Sequence, residues 1–166
     1  MGYPVGPVGH RVVSPSARAR VAMADGEIRD LLAQCRTMTV VTNGRDGWPH
    51  ATAMWFAVHG DGVAFMAYRR SQKCRNLDRD DRVTCMVEAG SSYEDLRGVQ
   101  LRGRATEVAA DERLAVACAI AQRYSDQPVD PDEVDRRIQS RIVYAVTVVD
   151  AASWDHRKLS TPEHQS

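Results

Sequence analysis

The sequence predicts an α+β protein in which six mostly antiparallel strands close into a small barrel flanked by helices. Six short segments rich in β-branched residues predict the strands, and tight turns such as Asn43-Gly44 and Asp61-Gly62 join the first three of them. Helical segments are inserted after the third and the fifth strand. Closure into a barrel is the natural way to remove the exposed edges from such a set of strands.

The first half of the predicted barrel follows a leader and one helix. Residues 1–22 mix proline, glycine, serine and arginine without periodicity, which predicts a flexible N-terminal leader. Apolar residues then recur at helical spacing from Ile28 to Cys35 and predict an amphipathic helix. Three strands are predicted after this helix, at residues 37–42, 50–58 and 63–67.

A short charged helix separates the third strand from the fourth. It is predicted to run from Ser71 to about Asp80, because a serine hydroxyl is a good N-cap for the first turn. The fourth strand is predicted at residues 82–88 and the fifth at 96–108. Gly98 and Gly103 lie inside the fifth strand and predict bends or the close approach of a neighbouring strand.

The C-terminal part is predicted to hold two helices and the sixth strand. An apolar stripe over residues 114–124 predicts the first helix, and a Pro-rich turn leads into a short acidic-to-basic helix. The sixth strand is predicted at 141–149, with residues 150–159 as its continuation. The folded domain is therefore predicted to span residues 23–159, and residues 160–166 to form a polar tail.

Composition excludes several functional classes. The 166 residues carry 22 Lys and Arg against 22 Asp and Glu, and this balance argues against a nucleic-acid-binding protein. No segment approaches the roughly 20 apolar residues that would span a membrane, and no signal peptide is visible, which predicts a cytoplasmic protein. The four cysteines are widely spaced and lack a nearby histidine pair, which predicts reduced structural thiols and no metal site.

Residues 68–83 are unusually basic for a neutral chain, with six cations and three acids. The beginning of a helix carries partial positive charge, so cations collected there repel one another unless an anion lies among them. A phosphate is the usual anion at such a position. The alternative is a solvated helix whose cations pair with Asp78, Asp80 and Asp81. No P-loop or Rossmann glycine motif occurs in the chain.

Four segments together carry a resemblance to a known family. They are DGWPHATAMWF at 46–56, SQKCRNLDRDDRV at 71–83, LRGVQLRGRATEV at 96–108 and SWDHRKL at 153–159. In order and spacing they resemble the split-barrel flavoproteins related to pyridoxamine 5′-phosphate oxidase, which include the flavin/deazaflavin oxidoreductases. The resemblance covers roughly residues 27 to 158 and implies a six-stranded antiparallel split β-barrel that forms a homodimer with two cofactor sites at the subunit interface.

The resemblance also implies a cofactor, coenzyme F420 or alternatively FMN. Thr52 stands where the pyridoxine-phosphate oxidases carry an arginine that grips the FMN phosphate, and this departure favours F420. Tyr93 and Trp154 are expected to reach the cofactor from the partner subunit. The full set of expected cofactor-binding residues is His50, Ala51, Thr52, Met66, Ala67, Arg69, Ser71, Lys73, Asn76, Tyr93 and Trp154.

The sequence thus predicts an oxidoreductase that transfers hydride from F420 to a small unsaturated or quinone-like molecule. No acid/base pair or nucleophilic triad stands out, which fits an enzyme whose cofactor carries the chemistry. His50 and Tyr93 are the candidate catalytic side chains. Two alternatives stay open: an FMN-dependent oxidase or reductase, and a non-catalytic flavin or haem carrier with His50, His59 or His156 as axial ligand.

Overall fold

The structure, a computed structural model, describes residues 19–159, so the predicted tail and residues 1–18 of the predicted leader lie outside the described residues. Residues 25–159 form one antiparallel sheet with four α-helices and a final 3-10 turn, and residues 19–21 are also helical. The strands are β1 Met38–Asn43, β2 Pro49–Met54, β3 Phe56–His59, β4 Gly62–Tyr68, β5 Arg82–Ala89, β6 Arg97–Glu107 and β7 Arg141–Asp155. The helices are α1 Asp25–Gln34, α2 Gln72–Leu77, α3 Arg113–Gln122 and α4 Pro131–Ile138, and the 3-10 turn is His156–Leu159.

The sheet closes on itself through a single residue, Trp55. The strands lie in the order β2-β1-β5-β6-β7-β4-β3, so β2 and β3 stand at opposite ends of the sheet. They are nevertheless consecutive in the chain, with only Trp55 between them. The predicted barrel is confirmed. The predicted count of six strands becomes seven, because the expected strand at 50–58 divides where it leaves one sheet edge for the other.

The barrel is split between β2 and β4. The ladder between β3 and β4 ends at the pair Phe56–Phe65, and β2 pairs only with β1. Beyond Phe65 the chain of β4 continues to Tyr68 while β2 has turned away towards β1. The facing edges of β2 and of residues 66–68 therefore carry backbone groups that no strand within residues 19–159 satisfies. We call this gap the split.

Two apolar clusters lie on the two sides of the sheet. Phe56 and Phe65 are fully buried in the barrel interior, where each contributes roughly 2–3 kcal/mol by burial. Ala64 and Met66 alternate with Phe65 on β4 and pack instead against the cluster formed by helices α3 and α4. Side chains alternate across a strand, so β4 joins the barrel interior to the helical layer.

The two glycines of β6 permit close approach, as the sequence predicted. A side chain at Gly103 would collide with the carbonyl oxygen of Thr147, next to a register shift between Arg102 and Gly103. A side chain at Gly98 would collide with the indole of Trp154 on β7. None of the helices within residues 19–159 is long and apolar enough to cross a membrane.

Candidate cofactor site

The basic segment follows β4 directly and turns into helix α2. Ser71 caps this helix, since its hydroxyl accepts a hydrogen bond from the backbone N–H of Cys74 at 3.5 Å. The Cys74 thiol donates to the carbonyl oxygen of Tyr68 at 3.2 Å, which anchors the helix to the end of the strand. The predicted N-cap is confirmed, whereas the helix ends at Leu77, earlier than the predicted Asp80.

Two of the three aspartates near this helix, Asp80 and Asp81, pair with arginines outside the helix start. Asp80 lies 2.6 Å from Arg82, whose guanidinium holds the pKa of that carboxyl well below its usual range. Asp81 pairs with Arg104 on β6 at 2.5 Å. The guanidinium of Arg69 lies 3.8 Å from the carboxylate of Glu107, and both side chains are exposed to solvent. In the described part of the chain, no carboxylate lies within ion-pair distance of the four remaining cations of the segment, namely Arg70, Lys73, Arg75 and Arg79. Of these, Arg79 donates to the carbonyl oxygens of Arg75 and Asn43 and to Oδ1 of Asn76.

Two buried polar atoms on β2 have no hydrogen-bond partner within residues 19–159. They are Nδ1 of His50 and Oγ1 of Thr52. Both residues share one face of β2, because His50 pairs with Thr42 and Thr52 with Val40 on β1. Ala51 lies on the opposite, exposed face. Buried polar atoms in folded proteins almost always have a partner, so this pair indicates a position where a ligand or water is bound.

Asn76 fastens helix α2 to the barrel. Its side chain is fully buried, and Nδ2 donates to the hydroxyl of Thr42 at 2.9 Å. Its Oδ1 accepts hydrogen bonds from Gln72 at 2.8 Å and from Arg79 at 3.1 Å. The amide is therefore occupied by the protein itself, and its contribution to binding is to hold the helix and its cations beside His50.

A cleft lies between helix α2 and the hairpin that joins β1 to β2. It has a volume of about 660 Å³, and we call it the tail cleft. Helix α2 forms one wall and the hairpin tip forms the other. The lining residues are Gly44, Arg45, Asp46, Trp48, Pro49, His50, Gln72 and Asn76.

A second cavity, of about 690 Å³, lies between the split and helices α3 and α4, and we call it the ring pocket. Its wall contains Trp55 stacked on Tyr124, with ring centroids 4.2 Å apart and planes inclined by 4°. Met66 lines this pocket, whereas Ala67 points into the barrel interior. Sequence reasoning missed Tyr124 as a site residue, because it read only as the last member of a helical apolar stripe. It also missed the cations Arg137 and Arg141.

The two cavities lie at opposite ends of β2. His50 lines the tail cleft and Met54 the ring pocket, and four residues of extended strand span about 13 Å. Along this length the unpaired edge of β2 runs opposite the continuation of β4. The arrangement suits an elongated molecule with a flat ring at one end and an anionic chain at the other.

Tyr93 and Trp154 lie far from this site within one chain. On β7, Val143 pairs with Met66 of β4, and Trp154 pairs with Gly98 of β6. Val143 and Trp154 are eleven residues apart along the strand. That contour is about 36 Å at about 3.3 Å per residue. Tyr93 packs on the ring of His156 at 4.6 Å, and Nδ1 of that histidine lies 2.8 Å from the Tyr93 carbonyl oxygen.

No set of three His, Cys, Asp or Glu side chains in residues 19–159 is arranged to hold a metal ion. The four cysteines are free thiols. Burial raises the pKa of the Cys85 thiol to about 12, which makes it unreactive at neutral pH.

Comparison with known proteins gives matches to a family model and to solved structures. The family model described as pyridoxamine 5′-phosphate oxidase matches residues 24–155. A crystal structure of a conserved hypothetical protein from Mycobacterium tuberculosis is 39% identical, covers 90% of this chain and 94% of its own, and superimposes with a TM-score of 0.81. No curated protein sequence matches the chain.

Two more distant structures share the fold. One is named F420 reductase, with 23% identity, coverage of 75% of this chain and 94% of its own, and a TM-score of 0.58. The other is the haem storage protein HutZ from Vibrio cholerae, with 14% identity, coverage of 78% and 92%, and a TM-score of 0.63. At these identities the likeness extends to the fold alone.

Proposed function

The chain belongs to the pyridoxamine 5′-phosphate oxidase family, and from that premise we propose that it is an oxidoreductase that binds coenzyme F420 and transfers hydride to a small unsaturated or quinone-like molecule. One observation carries the proposal. A cleft beside helix α2 and a pocket walled by stacked aromatic rings lie at the two ends of β2. A cofactor with a flat ring and a phosphate-bearing chain has both of these parts.

The cations at the start of helix α2 hold the phosphate in this proposal. Lys73 and Arg70 have no carboxylate partner within residues 19–159, and Ser71 stands between them. Arg69 approaches from the end of β4. The helix has only six residues, so the side-chain charges contribute more than its dipole does. Asn76 positions this group of cations through its bond to Thr42.

The two edges of the split hold the middle of the cofactor. His50 Nδ1 and Thr52 Oγ1 are buried and unpartnered, so hydroxyl groups of the sugar-like chain would satisfy them. The backbone at Ala51 on one edge and at Met66 and Ala67 on the other faces the ring. Unpaired strand edges present hydrogen-bond donors and acceptors in a row, which suits the polar rim of a flavin or deazaflavin.

The ring pocket orients the substrate. The bound cofactor supplies the hydride chemistry, and the residues of the chain supply position and exclusion of water. The stacked pair Trp55 and Tyr124, with Met54 and Met66, forms an apolar wall for a flat substrate. His50 lies at the tail-cleft end of β2, about 13 Å of extended strand from Met54 in the ring pocket, so its role in this proposal is to bind the cofactor chain.

A homodimer completes the proposed site. Tyr93 and Trp154 lie at the other end of the sheet, so they reach the cofactor only from a second copy of the chain. Tyr93 is 67% exposed and is free to contact such a copy. The dimer is therefore part of the proposal, with one site at each end of the interface.

The presence of an uncharged threonine at position 52 favours F420 over FMN. A threonine hydroxyl replaces the arginine expected of an FMN phosphate site, so β2 contributes no positive charge at this position. FMN binding consequently depends on the helix α2 cations alone. FMN is the alternative cofactor, with an oxidase or reductase activity in the same pocket.

Cofactor titration tests the proposal. Purified apo protein is mixed with F420 or FMN, and the dissociation constant is measured from fluorescence quenching. We expect submicromolar F420 binding, and a rise of about tenfold in Kd for Lys73→Ala through loss of a charge-assisted hydrogen bond. Arg29→Ala, which removes an exposed cation of α1, is the matched control and leaves Kd unchanged. Tight FMN binding without F420 binding, or unchanged affinity in Lys73→Ala, overturns the assignment.

A non-catalytic haem carrier is the second candidate. The unpartnered Nδ1 of His50, at the edge of a cleft, favours it, since a neutral imidazole nitrogen is a good iron ligand. His156 is less suited, because its Nδ1 already lies against the Tyr93 carbonyl. A Soret band on haem titration that is lost in His50→Ala and kept in His156→Ala, without F420-linked turnover, would establish this function instead.

A further inference from the structure

We propose that Arg137 and Arg141 form an anion-binding subsite in the ring pocket, and that the molecule reduced there is a flat unsaturated compound that carries a carboxylate. The inference rests on the proposed function and narrows its substrate class. It assigns a role to two cations of the pocket wall that the cofactor does not require.

Arg141 lies on β7 beside the edge of the split. It pairs with Tyr68 of β4, and Val143, two residues further along, pairs with Met66. Residues that pair across an antiparallel ladder point to the same side of the sheet, and so do residues two apart along a strand. Arg141 and Met66 therefore point to the side on which helices α3 and α4 lie, and both line the ring pocket.

The guanidinium of Arg141 is held in one orientation by Tyr68. Its Cζ lies 4.4 Å from the centre of the Tyr68 ring, and Nη2 donates to the Tyr68 hydroxyl at 3.0 Å. No carboxylate within residues 19–159 lies within ion-pair distance of this guanidinium. Arginine presents several N–H donors in a planar fork, so the remaining donors suit the two oxygens of a carboxylate.

Arg137 reaches the same part of the pocket from helix α4. Val134 and Ile138 are the buried residues of this helix, and Arg137 lies three residues after the first and one before the second. At about 3.6 residues per turn, Arg137 is at the border of the buried face, next to the cavity. Both arginines and Met66 also line a small recess that shares these three residues with the ring pocket.

The two carboxylates of the pocket lining do not neutralise these arginines. Asp130 caps helix α4, since its carboxylate accepts a hydrogen bond from the backbone N–H of Asp132 at 3.0 Å. Glu133 lies in the first turn of the helix and Arg137 in the last. Neither acid lies within ion-pair distance of a cation in the part of the chain that the structure describes. The recess that the two arginines line has no acidic residue, so positive charge is concentrated beside Met66.

The rest of the pocket suits the flat body of such a molecule. The stacked rings of Trp55 and Tyr124 and the side chain of Met54 supply apolar surface. The volume of about 690 Å³ lies within the range of about 300–1,000 Å³ that is typical of small-molecule sites. A planar acid is therefore fixed at two points, by its carboxylate and by its conjugated body. A neutral molecule of the same shape gains only the second contact.

Binding of a flat acid and of its neutral amide tests the subsite. The probes are trans-cinnamate and cinnamamide, which share a shape and differ in charge. Their Kd values are measured by calorimetry at neutral pH, with F420 bound and without it, for the parent, Arg137→Gln, Arg141→Gln and Arg136→Gln. Arg136 is an exposed cation in the same last turn of α4 and is absent from the pocket lining, which makes Arg136→Gln the matched control.

We expect the parent to bind cinnamate at least about tenfold more tightly than cinnamamide. Arg137→Gln and Arg141→Gln should each raise the Kd of cinnamate by about 3- to 10-fold and change the Kd of cinnamamide by less than about twofold. High salt should reduce the preference for the acid, because Arg137 is exposed. Arg141→Gln also loses the contact with Tyr68, so the result with Arg137→Gln is decisive if Arg141→Gln does not fold.

The outcomes separate this inference from the proposed function. Equal affinity of the parent for the two probes, or no binding of cinnamate at about 10 mM, overturns the subsite. So does an equal loss in Arg136→Gln, since that reflects the overall charge of helix α4. If F420 binds and Arg137→Gln leaves cinnamate binding unchanged, the inference alone fails. If F420 does not bind but Arg137→Gln still weakens cinnamate binding, the subsite stands and the proposed cofactor is wrong.

Discussion

The hydroxyl of Tyr124 accepts a hydrogen bond from the backbone N–H of Phe56 at 2.9 Å. It also lies 2.8 Å from the carbonyl oxygen of Arg36, to which it donates. Phe56 is the first residue of β3, directly after the residue at which the chain changes sheet edge. One side chain from the end of helix α3 therefore fixes the corner that closes the barrel and opens the split.

Removal of this hydroxyl should loosen the corner. Tyr124→Phe leaves the Phe56 N–H without a partner in a partly buried place, and we expect a loss of about 1–3 kcal/mol in the free energy of unfolding. Urea denaturation measures it. Tyr93→Phe is the matched control and should change stability by less than about 0.5 kcal/mol, because Tyr93 is exposed. An equal effect in the two variants would show that the bond to Phe56 has no special role.

Replacement of Thr52 should have opposite effects on stability and on binding. Thr52→Val removes a buried unpartnered hydroxyl at constant shape, so the apo protein should become more stable by about 1 kcal/mol. The cofactor loses a hydrogen bond, so its Kd should rise by about fivefold.

Thermal unfolding without cofactor and fluorescence titration with it measure these two quantities. Thr106→Val, at an exposed position of β6, serves as the control for the threonine-to-valine exchange itself. A destabilised Thr52→Val protein would indicate that the hydroxyl is satisfied in the free protein, by water for example.

Loss of Asn76 should release helix α2 from the barrel. Asn76→Ala leaves the buried Thr42 hydroxyl and the side chain of Gln72 without their bonds, and we expect a loss of about 2–3 kcal/mol in the free energy of unfolding. Gln72→Ala, which deletes the exposed partner, should cost less than about 1 kcal/mol. Urea denaturation distinguishes the two. Equal costs would mean that the bond from Asn76 to β1 is dispensable.

Asp155 should make stability depend on acid pH. Its side chain is 4% exposed and lies 2.6 Å from the Arg157 guanidinium, which lowers the pKa of the carboxyl. A lowered folded-state pKa contributes stability that is present above the unfolded value of about 3.9 and is lost as pH falls through the folded value.

The comparison is between the parent and Asp155→Asn. At pH 7 the variant should be less stable by about 1.5–3 kcal/mol, through loss of charge-assisted hydrogen bonds. This difference should narrow as the pH falls from about 4, where the carboxyl of the unfolded chain takes up a proton, through the lowered folded-state pKa, below which the carboxyl is neutral in both states. Denaturation at a series of pH values measures it, with Asp111→Asn at an exposed position as control. A difference that does not change with pH would contradict the role of the ion pair.

Local patterns were enough to predict most elements. The stripe from Ile28 to Cys35 is helix α1, the Ser71 cap begins helix α2, and Gly103 lies at a shift in strand register. These features depend on neighbouring residues in the chain, which is why the sequence reveals them. The break at Trp55 was not predicted, because residues 50–58 contain no glycine, proline or other turn residue. Contacts with residues distant in the chain decide that β2 pairs with β1 and β3 with β4.

Some features of the candidate site were visible in the sequence, and others appeared only in the structure. The unpaired cations around Lys73 and the hairpin turn beside Trp48 are visible in the sequence as charge and turn residues. The role of Asn76 depends on a partner thirty-four positions away, and that of Tyr124 on one sixty-eight positions away. Neither spacing leaves a periodic signal along the chain.

By itself the sequence determined the order of strands and helices, the position of the positive charge and the likeness to a family, because all three are written in short runs of residues. Only the tertiary structure decided that β2 and β4 separate beyond Phe65, and that a cavity lies at each end of β2. The reason is physical. A strand edge stays unpaired when tertiary packing holds the neighbouring strand away from it. Contacts between residues distant in the chain, such as Phe56 and Tyr124, determine that packing.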